Sequence, residues 1–225
     1  MCIRDRIGVI FMKYHKLVEN AKKPNGFWGK MMIKAMNKGH SSLTSWGLEH
    51  MNIERTATVL DIGCGGGKTV DRLCSIVANG KVYGIDYSEL SVKSSEKLNS
   101  KNILCNKAKI LQASVSDMPF EDNTFDNITA VETYYFWPDK ENDVKEVFRV
   151  LKQGGTVMLL FEMLRTDDDP FKWEKVENML NIKSVTPHEI RAVLESAGFE
   201  NINTYTKEGT TWLCATCLLY TSPSP

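Results

Sequence analysis

The chain has 225 residues, 28 basic against 28 acidic side chains, 42% hydrophobic residues and six cysteines. Zero formal charge excludes a whole-chain pull toward nucleic acid or anionic membrane, although not a local patch. No apolar run reaches the roughly 20 residues of a membrane span, and "IGVIFM" near the start is too short and lacks a cleavage-site pattern, so no membrane span and a cytoplasmic location are expected.

The two ends are related as DNA rather than as protein. Met1 to Arg6 can be encoded by a string whose reverse complement, read one base in, encodes Cys217-Leu218-Leu219-Tyr220-Thr221. Independent protein segments do not encode each other's complements, and the string resembles a transposon-end sequencing adapter. Residues 1–6 and 217–225 are therefore read as sequencing-adapter artefact and set aside, as a tag would be. The natural start is expected at Met12, with natural residues missing after Thr216. Removing Arg4 and Arg6 from the 28 basic residues and Asp5 from the 28 acidic ones leaves 26 against 27. Four cysteines remain, Cys64, Cys74, Cys105 and Cys214, without ligand-like spacing, which fits a reducing compartment and not a disulfide framework.

Residues 7–55 are expected to form an N-terminal helical cap, helical in pieces from Tyr14 to Met51 and broken at "KKPNGFWG" and "KGHSS". From residue 56 to 216 short β-type runs alternate with helical patterns, the signature of a parallel sheet with crossover helices. "TVLDIG" reads as the first strand and "KTVDRLCSIVANG" as a helix stopped by Asn79-Gly80. "KVYGID" is the second strand, Ser88 caps a helix to about Asn99, "AKILQAS" is the third strand and "FDNITAVE" the fourth. A helix over Lys140 to Leu151 carries Val144, Val147, Phe148 and Leu151 at helical spacing and is stopped by Gly154-Gly155. "TVMLLFE" is a fully apolar fifth strand, as expected with both faces covered. Asp167 to Lys183 reads as a helix with an irregular insertion. Thr186-Pro187-His188-Glu189 starts a helix with a capping box, ended by Gly198, and "FENINTYTK" and "TTWLCAT" close the sheet.

The loop after strand one, "GCGGGKT", fails two nucleotide patterns. A phosphate-wrapping loop ending in Gly67-Lys68-Thr69 needs its first glycine where Ile62 stands, and the dinucleotide fingerprint needs a glycine where Lys68 stands. What remains is Asp61-x-Gly63-x-Gly65-x-Gly67, with Asp86 closing strand two 19 residues past Gly67. Ends of neighbouring parallel strands lie side by side, where a carboxylate can accept both hydrogens of a ribose diol and glycines admit close backbone approach. A tight turn alone accounts for one or two glycines, not four in five positions.

With these motifs in order, "VLDIGCGGG", "VYGIDYS", "SVSDMPFEDNTFDNITAVET" and "EVFRVLKQGGTVML", the chain resembles the class I S-adenosylmethionine-dependent methyltransferases. It is most similar to the small type 11 group that includes quinone-biosynthesis C-methyltransferases. The resemblance runs closely from Thr56 to Glu162 and in layout beyond. It implies a Rossmann-like, seven-stranded, mostly parallel α/β sheet with helices on both faces, and S-adenosylmethionine as cofactor. It also implies that Asp61 helps hold the cofactor's amino acid end, that Gly63, Gly65 and Gly67 pass beneath it, and that Asp86 takes the ribose hydroxyls with Tyr87 near the adenine. Family members often carry "GDA" after strand three; "ASV" stands here, leaving Ser114 and Val115 to meet the adenine.

Strand four ends in "VETYYFWPD", which by the resemblance would face the transferable methyl. Glu132 is a candidate base or cofactor contact, with Tyr134, Tyr135, Phe136 and Trp137 able to enclose a cation or flat acceptor, or simply to pack the next helix. In the cap, His40, Ser41 and Trp46 are candidate lining groups; His40 has a base's pKa, while Ser41 as a helix N-cap is the plainer account. Glu162 ends strand five as a further acid. His15, His50 and His188 show no metal spacing, and no metal is expected. No Asn-Pro-Pro-Tyr-like or Pro-Cys motif follows strand four, so nucleic acid is not an expected partner. The leading expectation is methyl transfer to a small-molecule acceptor. A noncatalytic S-adenosylmethionine-binding protein and, against the Lys68 mismatch, a nicotinamide-dependent oxidoreductase are the alternatives. Oligomeric state and acceptor are not legible.

Overall fold

The computed structural model describes residues 20, 21 and 23–219. Met1 to Arg6, Met12, Tyr14, His15 and the final residues from Tyr220 lie outside the described residues. Among the described residues, the helices α1 (Gly26–Gly39) and α2 (Ser41–Leu48) precede the sheet, joined through the single residue His40. The first predicted break holds over Lys23 to Asn25, which are not helical, whereas its second half, Gly26 to Gly29, opens α1; Gly29 packs so closely on Pro24 and the Leu90 side chain that an added Cβ would lie 2.8 Å from each. Packing thus overrides the poor helix propensity of the two glycines in this stretch. Ser41 is the first helical residue, and His40 stands at the cap position expected for it.

The sheet strands are β1 (Thr58–Ile62), β2 (Lys81–Asp86), β3 (Ala108–Gln112), β4 (Phe125–Val131), β5 (Leu151–Phe161), β6 (Glu200–Thr206) and β7 (Leu213–Leu218). Between them run α3 (Lys68–Ile76), α4 (Glu89–Leu98), the short α5 (Ser100–Leu104), α6 (Lys140–Val150), α7 (Glu174–Leu180) and α8 (Pro187–Ser196). The order is β3-β2-β1-β4-β5-β7-β6, parallel except for β7, which pairs antiparallel with β5 and β6. Successive side chains on a strand point to opposite faces. On β1, Val59 accordingly joins Val70, Leu73 and Val92 in one core layer, while Leu60 and Ile62 join Ile128, Leu159 and Val147 in the other. The expected doubly covered parallel sheet is what the chain forms.

Boundaries differ from the sequence expectations where backbone geometry intervenes. β3 stops at Gln112, and Ser114 instead bridges Asp117 in a small turn. β5 begins at Leu151, five residues early, because Gly154-Gly155 does not stop a helix. The β4–β5 register jumps from Phe125↔Leu151 to Asn127↔Thr156, and Gly154, at φ 77°, donates to the Leu219 carbonyl within this bulge. β7 continues to Leu218, with Cys217 and Leu219 buried against the sheet.

The expected capping box forms at α8. Thr186 Oγ1 accepts from the Glu189 N–H at 3.1 Å, and Glu189 Oε2 accepts from the Thr186 N–H at 2.9 Å. Thr186→Ala should lower stability by about 1 kcal/mol and the thermal midpoint by about 2–4 °C. Thermal unfolding followed by circular dichroism checks this.

Candidate functional site

Strand order reverses at β1, which has β2 on one side and β4 on the other, so the loops after β1 and β4 diverge and open a cleft beyond the strand ends. His40, Asp61, Gly63, Gly65, Asp86, Tyr87 and Glu132 all border this cleft, with α1 and α2 closing its far side. With Ser41 and Phe136, nine of the residues singled out in sequence therefore meet in one place.

The glycines of the loop have separate reasons. Gly63 has φ 66°, and a Cβ on it would lie 2.2 Å from Thr133 Oγ1, so the β1 and β4 loops touch only because it has none. Gly65, at φ 51°, has only the Gly63 carbonyl within 4 Å of an added Cβ; it faces the open cleft and leaves room for a ligand. Gly67 does not border the cleft. It packs beneath α4, where Asn99 Nδ2 donates to its carbonyl at 3.0 Å. Ser114 and Val115 do not line the cleft either: Val115 is buried in the core and Ser114 Oγ accepts from the Ser116 N–H.

Asp61 is 2% exposed and accepts from Thr129 Oγ1 at 2.7 Å. Burial pushes its pKa up to about 7, opposed by that hydrogen bond and assisted by the charge of Asp86. Burial also raises the Asp86 pKa, opposed by N–H donors from Ser88 at 2.8 Å and Gly65 at 2.9 Å. The Ser91 hydroxyl is a third donor to Asp86; a carboxylate offers about four acceptor positions, so one remains for a ribose hydroxyl. Tyr87 flanks it, half-exposed, with Lys23 Nζ 5.6 Å from the ring centroid.

Glu132 ends β4 with φ 57°, an unusual backbone for glutamate, and costs of order 1–3 kcal/mol in local strain. Its Oε1 accepts from the Glu162 N–H of the β5 end and from the Tyr135 hydroxyl at 3.4 Å; that hydroxyl in turn accepts from the Met163 N–H at 3.0 Å. Enclosure raises the Glu132 pKa to about 8, against those hydrogen bonds and with help from the Glu162 charge. His40 Nε2 lies 4.0 Å from Glu162 Oε2, and burial lowers the His40 pKa despite that carboxylate. One ligating atom from each of His40, Glu132 and Glu162 lies within 4.8 Å of the others, a grouping suited to sharing or passing a proton.

The aromatic run divides. Phe136 borders the cleft. Tyr135 stands behind Glu132, whereas Tyr134 packs on Trp137 and Phe161 with Lys140 Nζ 5.2 Å from its ring, outside the cleft. Tyr134 and Trp137 are core residues, and Trp46 packs on His50 and Trp212 away from the cleft. Sequence reasoning missed the groups that tie the cap down: Asn37 Nδ2 donates to the Gly66 carbonyl, and Arg72 donates to the Ser41 carbonyl and hydroxyl, both at 3.0 Å. It also missed Thr129. These contacts join residues 29 to 68 positions apart and carry no local signal.

The reversed strand order, the glycine loop after β1 and the acid ending β2 define the class I methyltransferase architecture. A family model described as "Methyltransferase domain" matches residues 60–159. The ubiquinone/menaquinone biosynthesis C-methyltransferase UbiE of Cronobacter sakazakii is 30% identical over 181 residues, covering 70% of this chain and 72% of that protein. The uncharacterized methyltransferase YdaC of Bacillus subtilis is 24% identical over 73% of this chain and 83% of its own length. Among solved structures, an S-adenosylmethionine-dependent methyltransferase from Aquifex aeolicus superposes with a TM-score of 0.66 at 21% identity, covering 84% of this chain and 97% of that one. The chain belongs to the class I S-adenosylmethionine-dependent methyltransferases of this family, and S-adenosylmethionine is its methyl donor. The nicotinamide alternative falls with that assignment.

The cleft fits the cofactor: it is open at Gly65 and has a carboxylate with a spare acceptor position at Asp86. Asp86→Asn should weaken S-adenosylmethionine and S-adenosylhomocysteine binding by about 10- to 100-fold, the loss of charged hydrogen bonds, and leave NAD unbound, as calorimetry would read. Asp61 and Glu132 both keep a proton in the folded chain at pH values where the unfolded chain has lost it. The unfolded state therefore binds fewer protons, and stability should fall as pH rises from about 4 through 8. Thermal midpoints of the cofactor-free protein across that range should show the fall, and Glu132→Gln should flatten its upper part.

Proposed function

We propose that this methyltransferase acts on a small-molecule acceptor that carries a dissociable proton, by in-line displacement with Glu132 as the base. When bound, S-adenosylmethionine supplies a methyl group on an already cationic sulfur, which leaves the protein to align the acceptor, exclude water and remove its proton. The observation that carries the reading is the strained, enclosed Glu132 carboxyl at the β4 end, braced from β5 and by Tyr135. A carboxyl with a pKa near 8 matches a proton acceptor working near neutrality. Its ionised form takes the acceptor's proton as the new bond to the methyl carbon forms. His40, kept neutral by burial, lies close enough to pass that proton toward solvent through Glu162. Phe136 supplies an apolar wall for a flat acceptor.

Support from relatives is of the same kind, since the C-methyltransferase UbiE is named for quinone biosynthesis. A carbon acceptor in such a compound is an enol or phenol, which must lose a proton overall. No feature of the described residues adds a recognition surface for a macromolecule to the cleft.

The test is production of S-adenosylhomocysteine from a panel of phenolic, enolic and amine acceptors. With an active acceptor, kcat should rise with pH toward about 8 as Glu132 ionises. Glu132→Gln should lower kcat by roughly a hundredfold or more and remove that rise, while changing cofactor Kd only a few-fold. A Glu132→Gln enzyme with unchanged rate and pH profile would refute the base assignment, and absence of turnover with every acceptor class would return the noncatalytic alternative.

A further inference from the structure

Helix α1 has two faces with different work. Gly29 and Ile33 are buried, and Ile33, Met36 and Asn37 border the cleft. On the other side Phe27, Trp28 and Met31 are 71%, 45% and 52% exposed, among the most exposed large apolar residues described. At about 100° per residue, Phe27, Met31 and exposed Ala35 form one stripe with Trp28 beside it. Lys30, Lys34 and Lys38 run along the stripe's other edge. An apolar stripe of this kind with a lysine border is the pattern of a helix lying in a lipid–water boundary.

The local charge says what covers it. From Asn20 to Leu48 the chain has no aspartate or glutamate and carries Lys22, Lys23, Lys30, Lys34 and Lys38, although the whole chain is balanced. Among the described residues no ion pair engages Lys30, Lys34 or Lys38. A two-fold contact of this face with a second copy would set lysines against lysines, since such an interface uses the same patch on both partners. An anionic surface accepts the lysines and an apolar interior accepts the rings, and a bilayer offers both together.

We propose that α1 is an interfacial helix that docks the protein on an anionic lipid surface. Phe27, Trp28 and Met31 enter the headgroup boundary, and Lys30, Lys34 and Lys38 face the lipid phosphates. The same helix lines the cleft, so docking sets the site beside the lipid. No helix of the described residues is long and apolar enough to cross a membrane.

The experiment is co-sedimentation of the whole 225-residue chain with vesicles of phosphatidylcholine alone or mixed with phosphatidylglycerol, at low and high salt. Binding should favour the mixed vesicles by about tenfold or more, as three lysines near a charged surface predict, and weaken with salt. A triple Phe27→Ser, Trp28→Ser, Met31→Ser variant and a triple Lys30→Gln, Lys34→Gln, Lys38→Gln variant should each lose about tenfold or more. Both sets lie outside the cleft, so calorimetry with S-adenosylmethionine should show unchanged cofactor binding and certify the fold. Failure to bind the mixed vesicles, or equal binding by both variants, would overturn the proposal. So would light scattering that shows a dimer abolished by the apolar triple, or oligonucleotide binding tighter than vesicle binding, since each assigns the face to another occupant.

Discussion

The Thr129 hydroxyl reaches across from β4 to the buried Asp61 of β1 at 2.7 Å, and the cleft is organised around that hydrogen bond. It joins the two strands between which the sheet reverses direction, where their following loops must part. A carboxyl so deeply buried is tolerable because it has this donor and because its pKa rises to about 7, which lessens the charge held in the apolar interior. One residue beyond β1 the chain turns at Gly63, and Thr133 of the β4 loop occupies the space a Cβ would take. The loops that border the cofactor are thereby held in contact at their base and separated above it.

The other wall is supplied by residues that share no strand with the sheet. Arg72 on α3 holds the first turn of α2, Asn37 on α1 reaches the Gly66 carbonyl, and Ser88 Oγ donates to the Pro24 carbonyl at 2.9 Å. These are polar contacts to backbone acceptors, individually modest. Their position makes them matter, because they set His40 opposite Glu132 and Glu162. The site is thus a junction of two independently built parts, and acid chemistry sits on the sheet side while apolar and basic surface is concentrated on the cap side.

Strain and burial converge on Glu132. A glutamate in the left-handed region is unfavourable unless its neighbours overdetermine it, and the Glu162 N–H and the Tyr135 hydroxyl do so here. Tyr135 is itself anchored by the Met163 N–H, so the aromatic run after β4 contributes one buried brace, one cleft wall in Phe136 and two core residues. The string of aromatics has no single role.

The sequence by itself determined the alternation of strands and helices, the glycine loop and the acids at the ends of β1 and β2. Each is a local pattern: strand burial has a period of two, helix burial a period of 3.6, and a turn into a helix selects glycine. It also determined the cofactor class, through the resemblance of its four ordered motifs to the class I methyltransferases, whereas the spacing of Asp61, Gly63, Gly65 and Asp86 in one βαβ unit pointed only to a ligand with a ribose. Local pattern was not enough at Gly154-Gly155, a strand bulge whose partner is the distant Leu219, nor at Gly29, which stays helical because Leu90 and Pro24 pack on it. Tertiary structure alone decided that Gly67 supports α4 and does not face the cleft. It likewise decided that Tyr134 is core, that Ser114 and Val115 stay outside, and that His40 meets Glu162. Those outcomes depend on which side chain crosses from another element, and contacts between residues far apart in the chain leave no periodicity to read.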